Sequence, residues 1–248
     1  MLYTFLGVGV IGSFLTFGSV YMLRVNAEKD PKKKELLALH MVQRRLRAIL
    51  RVTRVKYTVI GEENIPDNEA VLFVANHRSF FDVIIGYNLV KGPTAFIAKK
   101  EIEKFTTLKI WMEYLHCQFM DRNNMKQSLK VIINAIRLIK EGTSVYIYPE
   151  GTRSKTDDPK EMLPFKEGSF RIAEKSGCKI IPVAMIRTRD IFEAQFPRVK
   201  PQHVYVRIGT PIEIIRLTED EKEHIGAYTR GVIISYIAEL EKKAAEEN

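Results

Sequence analysis

A histidine followed five residues later by an aspartate is the feature of this sequence most able to do chemistry. His77 and Asp82 lie in the segment Asn-His-Arg-Ser-Phe-Phe-Asp, residues 76–82. A histidine can accept a proton as a general base, and a carboxylate beside it can orient its ring and stabilise its charged form. Positions five apart point roughly 140° away from each other on a helix. Asp82 can therefore reach His77 only if His77 lies in the turn before the helix begins.

The same spacing recurs at His116 and Asp121, and the surrounding sequence distinguishes the two pairs. His77 directly follows the apolar run 71–75, which predicts a buried strand, so it would lie where a strand ends and a helix starts. Functional groups in α/β sheets usually lie at such strand ends. His116 lies inside residues 114–120, a predicted strand, where a packed or half-exposed histidine is the expectation.

A second segment, Tyr-Pro-Glu-Gly-Thr-Arg-Ser at residues 148–154, has the composition of an anion-binding turn. Gly151 lets a backbone approach an anion closely, and Arg153 can bind phosphate oxygens through two parallel bonds, as lysine cannot. A structural turn with a surface salt bridge is the alternative interpretation. Residues 165–168 either close the loop over the site or form an exposed turn that leads into a helix. A general base together with an anion site predicts a transferase that acts on a phosphorylated alcohol.

Composition limits the classes of protein that this sequence can form. Its 248 residues suit one large domain, or one domain with a small appendage, and an apolar share of 46% allows a substantial core. Cys117 and Cys178 are far apart and lack the spacing of metal or redox sites, which favours a reducing compartment. The five histidines also lack metal-ligand spacing, so we expect no metal ion.

The first 23 residues, Met1–Leu23, carry no charge and are long enough to span a bilayer as a helix. No lysine or arginine precedes the apolar run, so it lacks the basic start of a cleaved signal peptide. A buried core helix is the alternative, but a terminal apolar segment of this length predicts a membrane-embedded helix. It could cross the bilayer or lie in one leaflet.

Residues 24–56 hold most of the positive charge of the chain. They contain eleven Lys or Arg and three Asp or Glu, a net of +8 out of +9 for the whole chain. Such charge beside an apolar segment places that side in the cytoplasm. Apolar residues recur at helical spacing opposite a set of arginines: Leu39, Val42, Leu46 and either Ile49 or Leu50. This pattern predicts a basic amphipathic helix suited to an anionic lipid surface, and the absence of a nucleic-acid-reading motif argues against nucleic acid as the partner.

Beyond residue 56, short apolar runs alternate with amphipathic helical stretches. Seven runs predict strands: 57–60, 71–75, 95–98, 115–120, 144–148, 180–186 and 204–208. A helix is predicted over residues 126–140, with an apolar face formed by Leu129, Ile132, Ile133, Ile136 and Ile139. A last helix is predicted from a capping box at Thr218 and Glu221 to about residue 243. Together these elements predict an α/β fold with a mixed, largely parallel sheet flanked by helices.

Taken together, these residues resemble the glycerolipid acyltransferase family, which includes lysophosphatidic acid acyltransferases. Four motifs of that family recur in order: Asn76-His77 with Asp82, Phe119–Arg122, Tyr148–Arg153 and Ile181–Val183. Residues 98–101 look like the family's short basic motif. The resemblance covers roughly residues 57–215. It implies an N-terminal membrane-associated helical pair over residues 1–56 and an acyltransferase catalytic domain over residues 57–248.

The resemblance also implies an activity and residue roles. His77 would deprotonate the free hydroxyl of a lysophospholipid while Asp82 orients the imidazole, and the hydroxyl oxygen would attack the thioester of an acyl donor. Substrate binding falls to a further set: Lys99, Arg122, Glu150, Gly151, Thr152 and Arg153. No cofactor is implied, because acyl-CoA or acyl carrier protein would be a co-substrate. The expected reaction makes phosphatidic acid from lysophosphatidic acid at the cell membrane, with the catalytic domain on the cytoplasmic side.

Alternatives remain at the level of substrate and of class. Glycerol phosphate or another lysolipid could replace lysophosphatidic acid as acceptor, and a noncatalytic protein that binds anionic lipid could keep the same fold. Two departures bear on pocket shape: Tyr148 replaces the commoner phenylalanine of the third motif, and His116-Cys117 lies where the family more often has a glycine. The chain contains no Gly-x-Ser-x-Gly elbow, which argues against a serine-hydrolase route.

Overall fold

The computed structural model describes Gly12 and residues 21–247. Residues 21–27 are helical, and seven α-helices follow in this part of the chain: α1 Pro31–Val52, α2 Phe80–Leu89, α3 Thr106–Tyr114, α4 Met125–Lys140, α5 Arg171–Ser176, α6 Glu219–Glu223 and α7 Ile225–Glu246. The same part contains seven strands: β1 Lys56–Ile60, β2 Leu72–Ala75, β3 Thr94–Lys99, β4 Gln118–Met120, β5 Ser144–Ile147, β6 Ile180–Ile186 and β7 His203–Ile208.

The strands form one sheet in the order β1-β7-β6-β2-β5-β3-β4. Five of them, β2 to β6, run parallel to one another, whereas β7 pairs antiparallel with β6 and carries β1 parallel to itself. The predicted α/β class with a mixed, largely parallel sheet is confirmed. The carboxyl ends of the five parallel strands meet at one edge of the sheet, and β2 is the middle strand of the seven.

Helices cover both faces of the sheet. Buried side chains of α1, α2 and α3, such as Leu39, Ile85 and Trp111, belong to one core cluster. Those of α4, α5 and α7, such as Ile139 and Ile172, belong to a second cluster on the other face. Strands β2, β5 and β6 are buried along their whole length, which explains why they read as continuous apolar runs rather than as alternating patterns.

The seven predicted strands are all present, but the fourth is shorter than predicted. The predicted strand 115–120 was wrong at its start, because α3 continues to Tyr114 and the strand begins only at Gln118. His116 lies in the turn between them, with φ of +56°. The turn arises because α3 must reverse into a strand within three residues, and a left-handed residue allows that reversal.

Two helix predictions also need correction. In α4, Ile132 and Ile139 are buried as predicted, but Leu129 and Ile133 are exposed, because the buried face is centred on Ala135 and Leu138 instead. The last predicted helix is divided at His224 into α6 and α7. Its predicted start is confirmed, since the Thr218 hydroxyl oxygen accepts the backbone N–H group of Glu221, and the Thr218 N–H group donates in return to the Glu221 carboxylate.

The apolar face of α1 is covered by protein. Leu39, Val42 and Leu50 are buried in the core cluster that α1 shares with α2 and α3. Gln43 adds two hydrogen bonds, since its side-chain amide donates to the carbonyl oxygens of Tyr87 and Val90, both at 2.9 Å, at the C-terminal end of α2. The predicted amphipathic helix is therefore present as α1, and its contact with an anionic lipid surface stays a prediction. Any lipid contact of α1 would involve its basic face.

The predicted apolar helix over residues 1–23 falls mostly outside the described residues. Within Gly12 and residues 21–247, no helix has the length and apolar character needed to cross a membrane. In the same residues, no three His, Cys, Asp or Glu side chains are grouped so that they could hold a metal ion.

Candidate active site

The structure brings His77 and Asp82 into contact at the carboxyl end of the central strand. His77 follows β2 and precedes α2, and its Nδ1 atom lies 2.9 Å from the Oδ2 atom of Asp82. The aspartate side chain is 1% exposed, whereas that of the histidine is 17% exposed. A carboxylate accepts but does not donate hydrogen bonds, so Nδ1 carries the proton and Nε2 is left as the basic nitrogen.

Asp82 can reach back to His77 because it is also part of the N-terminal cap of α2. Its Oδ2 atom accepts the backbone N–H groups of Arg78 at 2.6 Å and of Ser79 at 2.7 Å. Ser79 completes a capping box by accepting from the start of the helix. Three hydrogen bonds thus converge on one carboxylate oxygen, which fixes its position.

The loop after β5 holds the backbone of His77 from both sides. One carboxylate oxygen of Glu150 accepts the His77 N–H group at 2.7 Å, and the His77 carbonyl oxygen accepts the Ser154 N–H group at 2.8 Å. The other Glu150 oxygen accepts the N–H group of Leu163 at 3.0 Å, which closes the loop. The two segments that the sequence separates therefore form one hydrogen-bonded unit.

Glu150 is a buried carboxylate with a structural task. Its side chain is 4% exposed, and this burial raises the pKa of Glu150, although the hydrogen bonds from His77 and Leu163 oppose the shift. Because each of its two oxygens already accepts a backbone N–H group, Glu150 shapes the site by fixing the chain.

An aromatic stack supports the imidazole ring from below. The ring of Tyr148 lies parallel to that of His77, with centroids 4.1 Å apart and an angle of 22° between the planes. Tyr148 packs in turn on Tyr146, and Tyr146 stacks on Phe96 at 4.4 Å. Burial raises the pKa of both tyrosines, so their rings are neutral platforms. The histidine therefore lies on a rigid, apolar support.

The turn at Gly151 requires glycine. Its φ is +76°, in the left-handed region, and its N–H group donates to the carbonyl oxygen of Tyr148 at 3.0 Å. A Cβ atom at this position would also lie 3.1 Å from the Nζ and Cε atoms of Lys166. Residues 166–168 are exposed and lead through a short 3-10 turn into α5, as the second alternative for residues 165–168 predicts, while the side chain of Lys166 lies against the turn at Gly151.

Arg153 lies at the N-terminal end of α2. Its guanidinium group is stacked over the ring of Phe80, 3.9 Å from the centroid, and its Nη1 atom donates to Glu193 at 2.9 Å. Glu193 follows β6, and sequence reasoning did not single it out. The alternative interpretation, a structural turn with a salt bridge, describes part of this geometry, because Arg153 does pair with Glu193. That hydrogen bond uses only one of the five guanidinium donors, so the others could still bind an anion.

The remaining predicted binding residues lie farther along the same edge. Lys99 ends β3 and forms an ion pair with Glu101 at 2.7 Å, and Arg122 is exposed just after β4. Neither strand is adjacent to β2, and each strand-to-strand step adds about 4.8 Å. Thr152 is exposed in the turn beside Gly151. The structure thus places Lys99 and Arg122 on the edge that carries His77, but not in contact with it.

Comparison with known proteins agrees with this arrangement. The model of the Acyltransferase family matches residues 56–186, which include both segments of the site. The chain belongs to this family. Among its relatives, the 1-acyl-sn-glycerol-3-phosphate acyltransferase of Borreliella burgdorferi is 28% identical over 80% of this chain and 78% of that protein. That of Salmonella typhimurium is 28% identical over 99% and 97% of the two chains.

A solved structure gives the same fold. The 1-acyl-sn-glycerophosphate acyltransferase PlsC from Thermotoga maritima superimposes with a TM-score of 0.81 at 24% identity, covering 96% of both chains. The fold that this acyltransferase shares with that structure therefore extends beyond residues 56–186, which the family model matches.

In this acyltransferase, the residues of the second His–Asp pair contact other partners rather than each other. His116 contacts Glu35 of α1, with Nε2 and Oε1 2.9 Å apart, and Asp121 contacts Lys100 at 3.3 Å. The two residues therefore have separate partners, and His116 links α1 to the turn before β4. Identical spacing in sequence gives contact in one case and not in the other, because only His77 precedes a helix that Asp82 caps.

The helix cap at Ser79 and Asp82 could be recognised in the sequence, whereas the contact made by Glu193 could not. Ser79 and Asp82 form the Ser-x-x-Asp pattern of a capping box, so the helix start at this position could have been predicted. Glu193 lies in a short 3-10 turn, Glu193–Gln195, without any local pattern. Its contact with the site depends on β6 lying beside β2, which only the sheet order reveals.

Proposed function

We propose that this acyltransferase moves a fatty acyl group from a thioester donor to the free hydroxyl of lysophosphatidic acid, giving phosphatidic acid. The observation that carries the proposal is the buried Asp82 carboxylate on Nδ1 of His77, which leaves Nε2 basic at the exposed side of a strand end. Arg153 supplies a cation on the same edge for the acceptor phosphate. The printed names of the relatives support this choice of acceptor.

The reaction needs one positioned base and no covalent enzyme intermediate. Nε2 of His77 takes the proton of the acceptor hydroxyl as its oxygen attacks the thioester carbonyl carbon. The new C–O bond forms and the C–S bond breaks, and the thiol leaves with the proton that His77 returns. Asp82 stabilises the imidazolium while it carries that proton, and its two further hydrogen bonds keep it in place.

Acceptor binding is assigned to the cations at this edge. Arg153 binds the phosphate through its remaining guanidinium donors, because a planar arginine suits phosphate oxygens. Lys99 and Arg122 add positive charge farther along the edge. Gly151 and Thr152 form the turn that faces the phosphate, and Glu150 keeps this turn in contact with His77. Either acyl-CoA or acyl carrier protein serves as the donor, and no further cofactor takes part.

The same edge of the sheet is proposed to meet an anionic membrane surface from the cytoplasmic side. Each segment that leaves a carboxyl end of the five parallel strands exposes at least one large apolar side chain, and the first of these in each segment are Phe80, Phe105, Met125, Leu163 and Phe196. We call these five residues the apolar rim. Exposed cations flank it, including Lys104, Arg122 and Lys126. Apolar side chains flanked by lysine and arginine suit the interface of an anionic lipid layer.

The first experiment compares acyl transfer by wild type, His77→Ala and His116→Ala in detergent, with coenzyme A and carrier-protein donors. A positioned base contributes typically about 10²–10⁴-fold, so His77→Ala is expected to lose that much turnover. His116→Ala is the matched control, because it has the same spacing to an aspartate but contacts Glu35 instead. Equal losses in two folded variants would overturn the assignment of the base. Lipid binding without turnover would favour a noncatalytic relative.

A second experiment tests the membrane-facing edge. Phe105→Glu combined with Met125→Glu should lower activity on anionic vesicles but leave activity in detergent micelles unchanged. Ile215→Glu is the control, because Ile215 is 84% exposed, similar to Met125 at 87%, but follows β7 at the opposite edge of the sheet. If the control lowered vesicle activity as much as the rim variant, the assignment of this edge to the membrane would be wrong.

A further inference from the structure

Glu193 joins three parts of the site through one carboxylate. Its Oε2 atom accepts the Ser79 hydroxyl at 2.6 Å, and its Oε1 atom accepts the Phe80 N–H group at 2.8 Å. The same Oε1 atom accepts Nη1 of Arg153 at 2.9 Å. The segment that carries Glu193 leaves β6, whereas the three donors belong to the segments after β2 and β5. A single side chain thus ties all three strand ends together.

These contacts fix the guanidinium group of Arg153 in two directions. The ring of Phe80 sets the plane of the group from one face, and the carboxylate of Glu193 holds one edge. The side chain of Glu193 is 17% exposed, against 37% for that of Arg153. An ion pair in this partly buried setting, with three hydrogen bonds on the carboxylate, is better defined than an exposed surface pair.

We propose that Glu193 is a positioning residue for the acceptor, holding Arg153 over Phe80 so that its unused donors meet the phosphate. The proposal rests on the function assigned above, in which Arg153 binds that phosphate. Glu193 does not touch the acceptor. It acts by removing the rotational freedom of a long side chain before the ligand arrives, which lowers the entropy cost of binding.

The two available substitutions separate position from charge. Glu193→Ala removes all three contacts and frees Arg153 to rotate. Glu193→Gln keeps an oxygen for Phe80 and Arg153, and its amide can donate to the Ser79 hydroxyl, which is also able to accept. The glutamine variant should therefore keep most of the geometry while losing the charge.

The test measures KM for lysophosphatidic acid, KM for the thioester donor and kcat in Glu193→Ala, Glu193→Gln and wild type. We expect Glu193→Ala to raise the acceptor KM by about 10-fold or more, the size of a lost hydrogen bond to a charged group. The donor KM and kcat should change little, and Glu193→Gln should recover most of the acceptor KM. Asp190→Ala, an exposed acid in the preceding turn, is the control and should behave as wild type.

The double variant Arg153→Ala with Glu193→Ala decides whether Glu193 acts through the arginine. If it does, removing Glu193 adds nothing to the acceptor KM once Arg153 is gone. Additive effects would overturn the proposal, and so would an equal loss in both KM values together with kcat, which would mark a general structural role. If Arg153→Ala alone leaves the acceptor KM unchanged, the proposed role of Arg153 fails first and the positioning role fails with it.

Discussion

Asp82 has two tasks in the structure, and substitutions at this position can separate them. Its Oδ2 atom accepts two buried backbone N–H groups that begin α2, in addition to Nδ1 of His77. Asp82→Ala leaves both N–H groups without an acceptor, at a cost of about 1–3 kcal/mol each. We therefore expect the free energy of unfolding to fall by roughly 2–6 kcal/mol, unless water enters the space left by the carboxylate.

Asp82→Asn should have a different outcome. An asparagine oxygen in the place of Oδ2 can accept all three hydrogen bonds, and the reverse orientation is unfavourable because it would turn an amide NH₂ group toward three donors. In the favoured orientation the amide nitrogen takes the place of Oδ1, which is buried without a partner among the described residues. The stability cost should be that of one buried unsatisfied donor, about 1–3 kcal/mol.

The same orientation keeps the proton on Nδ1 of His77, so Asp82→Asn removes only the charge that stabilises the imidazolium. A pair of charges about 4 Å apart at an effective dielectric of about 20 interacts by about 4 kcal/mol, which sets an upper limit of roughly 10³-fold on the loss of kcat. Asp82→Ala also frees the ring to rotate, and its loss should approach that of His77→Ala.

The assay combines thermal unfolding with thioester consumption in detergent, using the same protein preparations for both. The expected order of stability and of activity is wild type, then Asp82→Asn, then Asp82→Ala. An alanine variant as stable as wild type would refute the capping argument. An asparagine variant with full activity would refute the charge argument, and one as inactive as His77→Ala would show that the amide has turned the other way.

Three further predictions concern the frame of the site. Glu150→Ala should lower both the stability of the protein and kcat, because the N–H groups of His77 and Leu163 lose their acceptor and the backbone of the catalytic base is released. The unfolding temperature and the turnover of the same variant check this prediction. Gly209→Ala should destabilise the protein by about 1–3 kcal/mol, because a Cβ atom there would lie 2.2 Å from the ring of Tyr236. Gly231→Ala, at an exposed position of α7 with open space around it, should be neutral or stabilising in the same denaturant titration. The thiol of Cys117 should resist alkylation at pH 8 in the native protein and react after unfolding, as read by mass spectrometry, because burial raises its pKa to about 11 and leaves a thiolate fraction of about 10⁻³.

The strands and the central site could be predicted because their signals are local. Each buried parallel strand is a short apolar run, and His77 directly follows one of them. The histidine and its aspartate also meet through a local structure, a helix cap whose pattern extends over four residues. The strand predicted over residues 115–120 was wrong at residues 115–117 because its signal was also local, and an apolar stretch after a helix cannot be distinguished locally from the start of a strand.

Contacts between segments could not be predicted from the same patterns. The periodicity of α1 indicated an apolar face, but periodicity does not say whether lipid or protein covers it, and the structure shows α2 and α3 there. Leu129 and Ile133 in α4 fit a helical repeat and are nevertheless exposed. Glu193 has no pattern at all, because its partners lie on segments that only the order of strands brings together.

The sheet order explains why residues so far apart in sequence act as one site. Strand β2 lies between β5 and β6, so the segments that leave these three strands are neighbours at one edge. The segment after β2 supplies the base, the segment after β5 holds its backbone through Glu150, and the segment after β6 holds Arg153 through Glu193. Glu150 and Glu193 each accept hydrogen bonds from more than one of these segments. A change in Glu150 should therefore act on the catalytic base as well as on the turn, whereas a change in Glu193, which holds Arg153, or in Lys99 or Arg122, should act on acceptor binding alone.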